Sequence, residues 1–258
     1  MEPANALLAS LHQQRLERQK ERRWTNPEEM QLGEVQLRLC SLPSAHLGAQ
    51  VWASGLALAQ HLGGGGGELV RGRRCLELGA GLGLVGLTAA KRGAREVLLT
   101  DLDEMQPLLR RNIELNELQT ACRARTLVWG TSEEGQWDVV LAADVVYPTK
   151  GRILPLLLQS ILQLCPEGSS TQLLLAYQPR AEEDQRFLRE ELLPHFEFSC
   201  EALNDKCQLY ICRRKDGARA LHSLRHVHAS CAAQIAGIWP GHPCKWCPDG
   251  PSAAYGIG

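Results

Sequence analysis

The chain has 258 residues, with 28 Lys and Arg against 29 Asp and Glu for a formal charge of −1, 44% hydrophobic residues and a mean hydropathy of −0.21. That composition excludes a chain disordered throughout. The lack of any apolar run of about 18–20 residues excludes a membrane-spanning helix, and the charge balance leaves no global basic excess for gripping phosphate backbones.

In chain order, residues 4–23 are rich in Leu, Gln, Arg and Glu and predict a solvated helical arm, residues 1–30, that ends near Pro27. Residues 34–39 alternate with Val35, Leu37 and Leu39 on one side, as an edge strand would. Residues 49–62 are apolar and Ala-rich and predict a helix carrying Trp52 in its first turn. Gly63 to Gly67 read as a flexible loop tip. A short apolar strand at 75–78 leads into a glycine cluster and a helix at 84–92. A buried strand at 97–100 ends at Asp101, followed by a helix at 106–116 and a third strand at 124–128.

The strand at 138–142 ends in Asp144, and a helix at 153–164 is interrupted near its start by Pro155. A strand at 172–177 and a charged amphipathic helix at 182–193 follow. Strands at 196–202 and 208–213, separated by Asn204 and Asp205, imply an antiparallel hairpin. Strand and helix in alternation mean a parallel sheet covered on both faces, and the hairpin adds antiparallel strands at one edge.

Leu76-Glu77-Leu78-Gly79-Ala80-Gly81-Leu82-Gly83 places three glycines at alternate positions where a strand turns into a helix. Such a turn lets backbone approach a ligand, and the helix N-terminus beyond it offers free N–H groups to an anion. Gly81, Gly83 and Gly86 also satisfy the dinucleotide fingerprint, with Asp101 20 residues beyond Gly81. Three features favour an S-adenosylmethionine-dependent methyltransferase over a dehydrogenase. The charge of Glu77 opposes a pyrophosphate, only about 60 residues of ordered-looking chain follow the fourth strand, and the closing hairpin is the methyltransferase topology. Asp101 at a strand tip has the chemistry to accept both ribose hydroxyls, with capping of the next helix as its alternative. Trp129 at the end of the third strand offers a stacking face for adenine, with core packing as its alternative. Asp144 and Tyr147 put a carboxylate and a phenol on the carboxyl edge of the sheet, where ligands of such folds bind.

The ordered motifs Val51-Trp52-Ala53-Ser54-Gly55, Leu76-Glu77-Leu78-Gly79-Ala80-Gly81, Thr100-Asp101-Leu102, Val128-Trp129-Gly130 and Ala142-Ala143-Asp144-Val145-Val146-Tyr147 resemble methyltransferase family 16 over about residues 31–215. These are the seven-β-strand enzymes that include the methyltransferase-like 21 group and the lysine methyltransferase of valosin-containing protein. The resemblance implies a class I, Rossmann-like α/β fold with a seven-stranded, mostly parallel sheet. It implies a cofactor, S-adenosyl-L-methionine, bound among Trp52, Glu77, Gly79, Ala80, Gly81, Asp101, Leu102, Trp129 and Ala143. Asp144 and Tyr147 become the acidic-x-x-aromatic pair beside the acceptor, and no metal is implied. The implied partner of this monomeric enzyme is a folded protein methylated on lysine, such as a chaperone, translation factor or ATPase. Some family members modify histidine or arginine instead.

Nucleic-acid methylation at exocyclic amines is the rival enzyme reading. It usually requires an Asn/Asp-Pro-Pro-aromatic motif, whereas Val145 and Val146 occupy the proline positions here and no basic-aromatic groove accompanies them. A catalytically silent cofactor-binding module is a further alternative. Residues 31–212 carry 17 basic against 22 acidic side chains, while residues 213–258 carry six against two. The acidic middle suits a cationic acceptor.

The tail from residue 216 mixes His, Cys, Trp, Gly and Pro without apolar periodicity and reads as a disordered extension. Its Cys244 and Cys247, with His222, His226, His228 and Cys231 upstream, lack the paired spacing of a zinc site. The first 23 residues lack the apolar stretch of a secretory signal, and Glu17 and Glu21 argue against a mitochondrial presequence. Of ten cysteines, Cys40, Cys75, Cys122, Cys165, Cys200, Cys207 and Cys212 are scattered singly through strand-like segments. They read as reduced, mostly buried thiols of a cytosolic or nuclear protein.

Overall fold

A computed structural model describes residues 24–216, except 43–47, 49, 132, 134 and 148–152. Seven strands form one sheet: β3 (Arg74–Leu78), β4 (Glu96–Asp101), β5 (Cys122–Thr126), β6 (Val139–Ala143), β7 (Gln172–Tyr177), β8 (Phe196–Ala202) and β9 (Gln208–Arg214). Their order is β5-β4-β3-β6-β7-β9-β8, parallel from β5 to β7 and antiparallel at β9 and β8. The expected fold class is therefore borne out, hairpin included.

Side-chain alternation sends each strand into two cores. Cys75, Val97, Leu99, Val139, Leu141 and Leu174 pack on one face with helices α1 (Ala53–Gly63), α2 (Leu84–Lys91) and α3 (Gln106–Leu115). Leu76, Leu98, Val140, Ala142, Leu173 and Leu175 pack on the other with α4 (Leu154–Leu164) and the segment after α5 (Glu182–Arg186). Each fully buried aliphatic side chain contributes about 1.5–3 kcal/mol, and period-two burial on both faces makes a one-residue slip costly.

From β3 the chain winds outward through β4 and β5, then crosses back to β6 on the other side of β3. At that reversal the carboxyl ends of β3, β4 and β6 diverge around a crevice, the place where doubly wound sheets bind ligands.

Several expectations are corrected. Val35–Leu39 (β2) is not an edge of the main sheet; it pairs antiparallel with Glu28–Leu32 (β1), a strand whose single buried side chain, Leu32, left no apolar pattern to read. The boundary at residue 30 thus falls inside a strand, and the helix expected over residues 4–23 lies outside the described residues, as does the tail beyond 216.

The five-glycine run is not a flexible tip. It ends α1 and continues as a 3-10 turn, Gly65–Leu69, with Gly66 and Gly67 buried. A Cβ on Gly63 would lie 1.9 Å from the Leu32 carbonyl oxygen, so β1 and α1 touch backbone to backbone there. Trp52 is the N-cap of α1 rather than part of its first turn, and Pro155 opens α4 rather than interrupting it. The helix expected over 182–193 is α-helical only in α5. It widens into a π-turn at Phe187–Leu192, which brings Phe187, Leu188 and Leu192 into the core together.

All seven described cysteines are unbridged and all but Cys200 are buried; burial above all pushes the Cys75 and Cys122 thiols up to about 12.

Two asparagines one helical turn apart join the small hairpin to the main body. The Asn112 carboxamide accepts the Cys40 N–H at 2.8 Å and donates to the Cys40 and Leu82 carbonyls at 3.1 and 2.9 Å. Asn116 likewise accepts from Arg38 N and donates to Arg38 O. These side chains finish the open edge of β2 as another strand would. Replacing Asn112 by Ala leaves three buried backbone groups without a partner, and we expect urea unfolding to show a loss of about 3 kcal/mol with an unchanged slope.

Candidate active-site cleft

The cleft is built on the turn after β3. Gly79 and Gly81 take φ of +62° and +55°, in the left-handed region that favours glycine. Space as well as conformation demands them. A Cβ on Gly79 would meet Val145 at 3.1 Å and the Trp129 ring at 3.4 Å, and one on Gly81 would meet the Gly48 carbonyl at 2.9 Å. Ala80 is pinned by its N–H to the Thr100 carbonyl at 2.9 Å.

Asp101, the last residue of β4, secures this turn from the side. Its Oδ2 accepts the Gly81 N–H and its Oδ1 the Leu102 N–H, each at 2.7 Å. Burial raises its pKa, the two N–H bonds oppose that rise, and the Glu104 charge adds to it. Two amides use only part of a carboxylate's acceptor capacity, so both oxygens keep lone pairs for further donors. Capping of α3, the alternative role, is not what Asp101 does; its side chain points back to the glycine turn, and that helix begins five residues later.

Glu77 lies behind the turn. Its carboxyl is almost fully buried, accepts the Gly86 N–H at 2.8 Å, and is pushed up to about 8, chiefly by burial and secondarily by Asp101, against the Gly86 bond. It is therefore largely protonated at neutral pH, and the charge argument against a pyrophosphate fails. The hairpin topology still separates the two ligand readings.

Trp129 does not end a strand, because β5 stops at Thr126; it sits in the turn beyond, half-buried against the second core, and lines the cleft. Ala143 closes β6. Asp144 follows it at φ +60°, an uncommon conformation for a residue with a Cβ. Its amide donates to Ala176 O at 3.2 Å, its Oδ2 accepts the Ser54 N–H at 3.4 Å, and its Oδ1 forms an ion pair with Arg180. The Tyr147 phenol has its pKa raised by burial first and by the Asp101 charge second, so the two groups sense each other across the opening.

All eleven expected site residues, Trp52, Glu77, Gly79, Ala80, Gly81, Asp101, Leu102, Trp129, Ala143, Asp144 and Tyr147, line one cleft of about 530 Å³. That volume suits a nucleoside-sized ligand. Val51, Leu102, Val128, Ile153 and Leu156 are the large hydrophobic side chains left exposed among the described residues, and all five line this cleft. Such concentration marks a binding surface. Of this apolar collar sequence reasoning named only Leu102 as a site residue, and it missed Arg180, although Arg180 follows β7 at the carboxyl edge, where Asp144 follows β6.

The residues present fit S-adenosyl-L-methionine. The glycine turn leaves a cradle that a Cβ would fill, Asp101 retains acceptor lone pairs, and the exposed Leu102 and half-buried Trp129 offer apolar surface on the same wall.

Comparison with known proteins agrees with this geometry. A family model described as lysine methyltransferase matches residues 32–192. The protein N-lysine methyltransferase METTL21A of Mus musculus is 38% identical over 147 residues, covering 54% of this chain and 65% of that protein. The protein-lysine N-methyltransferase EFM6 of Saccharomyces cerevisiae is 38% identical over 133 residues, covering 45% of this chain and 53% of that protein. The EEF1A lysine methyltransferase 3 of Mus musculus is 34% identical over 183 residues, covering 67% and 75%. The chain thus spans between half and two thirds of the length of the first two relatives. Among solved structures, a Thermus thermophilus 16S rRNA N2 G1207 methyltransferase in complex with AdoMet and guanosine superposes with a TM-score of 0.52 at 22% identity, covering 74% of this chain and 51% of that one. A putative RNA methyltransferase from Pyrococcus horikoshii superposes with 0.50 at 15% identity, covering 68% and 93%. At such identities the likeness shows the fold alone.

Glu77 makes the stability of the site pH-dependent. Its folded pKa of about 8 lies above the ordinary carboxyl value of 4.5, so the folded chain binds the extra proton and its contribution is full below the ordinary value and lost as pH rises through the folded one. We expect Glu77→Gln, which keeps an acceptor for Gly86, to gain more than about 1 kcal/mol on the wild type between pH 5 and pH 8 in chemical denaturation.

Proposed function

The chain belongs to the lysine methyltransferase family, and on that premise we propose that it methylates the side-chain amine of a lysine in another protein, using S-adenosyl-L-methionine. The observation that carries the reading is the meeting of two sets of groups in one cleft: Asp101 with the glycine turn, and Asp144 with Tyr147. The sizeable identity to proteins named as N-lysine methyltransferases supports the choice of acceptor.

When bound, S-adenosyl-L-methionine supplies a methyl group on a positively charged sulfur, open to an uncharged nitrogen. Asp101 would hold the ribose hydroxyls on the lone pairs that Gly81 and Leu102 leave free. The Gly79–Gly81 backbone would lie along the amino-acid portion, with Trp52, Ala80 and Ala143 completing its surroundings. Leu102 and Trp129 would flank the adenine, and Glu77 would act from behind by holding Gly86 and so the shape of the turn. Asp144 and Tyr147 would border the acceptor nitrogen and aim it. Covered by cofactor and substrate, the apolar collar would exclude water around the reacting groups, so that positioning and desolvation supply much of the acceleration.

The reading includes a protein partner and a reducing compartment, cytosol or nucleus, suited to described thiols that form no disulfide. No helix among the described residues is long and apolar enough to cross a membrane.

Two measurements test it. Isothermal titration with S-adenosyl-L-methionine should give a Kd that Asp101→Ala raises more than about 100-fold, the loss of two hydrogen bonds to a charged acceptor; unchanged affinity would remove the ribose assignment. Transfer of labelled methyl to a lysate, followed by hydrolysis, should yield labelled Nε-methyl-lysine. Cofactor binding with no labelled amino acid would leave only a silent binding module.

A further inference from the structure

Arg180 completes the polar corner of the cleft. Its guanidinium is ion-paired with Asp144 Oδ1 and lies over the Trp52 ring, 5.5 Å from the centroid. Both partners are held in place by other parts of the fold. Asp184, fully buried, accepts the backbone N–H groups of Arg180, Ala181 and Gln185 at 3.2, 2.9 and 2.9 Å, which fixes the loop that presents the guanidinium. Asp144 is fixed by its φ of +60° and its bonds to Ala176 and Ser54, and its side chain is only 4% exposed.

This pairing bears on the acceptor. A lysine amine reacts only through its lone pair, and its reference pKa of about 10.4 keeps it protonated at neutral pH. A lone buried carboxylate beside it would hold the ammonium form more strongly still. A fixed guanidinium on the same carboxylate cancels most of that attraction.

We propose that Arg180 is a positioning residue that neutralises Asp144, so that the cleft receives the acceptor lysine as the uncharged amine. The ammonium proton passes to solvent water once the lysine lies in the cleft and before its nitrogen takes the methyl group. This assignment rests on the lysine-acceptor reading above. Other titratable and charged groups face the pair: the Cys207 thiol in the β8–β9 turn, Tyr177 and Asp184 with Arg189 behind the loop, and Tyr147 and Asp101 across the opening. Burial foremost pushes the Cys207 thiol up, and the Arg180 charge opposes that shift. Removing Arg180 therefore raises this pKa further and leaves the thiol uncharged.

The test is the initial rate of tritiated methyl transfer from S-adenosyl-L-methionine to the proteins of a lysate lacking the endogenous chain. It is followed from pH 7 to 9.5 with the wild type, Arg180→Gln and Arg180→Lys. Dividing variant by wild type at each pH removes effects of pH on the substrate. Desolvation in the wild-type cleft brings the acceptor amine down to about 8, so for Arg180→Gln the ratio should be about 0.1 at pH 7, one pKa unit in the acceptor, and climb toward 1 by pH 9.5. Arg180→Lys, which keeps the charge, should stay within about threefold at every pH. S-adenosyl-L-homocysteine should bind all three alike by isothermal titration. A ratio for Arg180→Gln that does not change with pH overturns the assignment, as does an Arg180→Lys profile that follows the Gln variant. If Arg180→Gln does not fold, the double variant Asp144→Asn with Arg180→Gln takes its place. Its ratio should be flat, and one that climbs with pH overturns the assignment. Labelled bands with the wrong profile overturn the role of Arg180 alone, whereas no label with the wild type at any pH overturns the lysine reading and this assignment with it.

Discussion

Asp101 holds the two strand ends of the cleft together. Parallel strands that stop side by side leave the amides of their following turns without ladder partners, and a buried amide without an acceptor costs about 1–3 kcal/mol. One carboxylate answers for two of them, Gly81 on the β3 side and Leu102 on the β4 side. Charge-assisted bonds of that kind are roughly twice as strong as neutral ones. The glycine turn keeps its left-handed shape because of this clamp, α2 starts where it does because the turn precedes it, and the crevice stays open because no Cβ fills it.

Glu77, Asp101, Glu104 and Asp144 bring four carboxyl groups to this crevice, and the fold treats the three that lie in or just after strands differently. Glu77 is buried to the point of holding its proton near neutrality. Asp101 is surrounded by backbone N–H groups and keeps acceptor capacity. Asp144 is matched by a guanidinium. On the proposed reading, the side of the cleft that takes the cofactor is thereby an acceptor of hydrogen bonds, while the side that takes the lysine is nearly neutral in charge. A cationic cofactor and an uncharged amine are the reactants that such a division suits. The acidic excess of residues 31–212 acts at longer range, drawing cationic protein surfaces toward the molecule.

Much of the fold was legible because it rests on local pattern. Apolar runs of strand length, three of them closed by Gly79, Asp101 and Asp144, marked strands alternating with helices and so a parallel sheet, and Asn204 with Asp205 marked the hairpin. Asn204 indeed takes the Lys206 and Cys207 N–H groups at 2.9 Å. What escaped notice depends on contacts distant in sequence. Glu28–Leu32 has one buried residue and alternates only over Met30 and Leu32, too short a pattern to read, so its pairing with Val35–Leu39 is what makes it a strand. The glycine run reads as a linker until Leu32, His61 and Arg92 are packed against it. Arg180 reads as a solvated loop charge until the sheet brings it to Asp144, 36 positions earlier in the chain. The motifs named the glycine turn and Asp101 of the cleft, because strand-end acids and glycine turns are local. The corner of Asp144, Arg180 and Trp52 is assembled from three separate loops and could be read only in part.

The central claim is that this cleft methylates lysine on a protein. Its most direct test is quantitative mass spectrometry of methylated lysines in cells with the gene deleted and then restored as wild type or as Asp144→Ala. The account predicts a lysine methylation that disappears on deletion, returns with the wild type and does not return with Asp144→Ala. A lysine methylome unchanged by deletion, or restored equally by both forms, would contradict it.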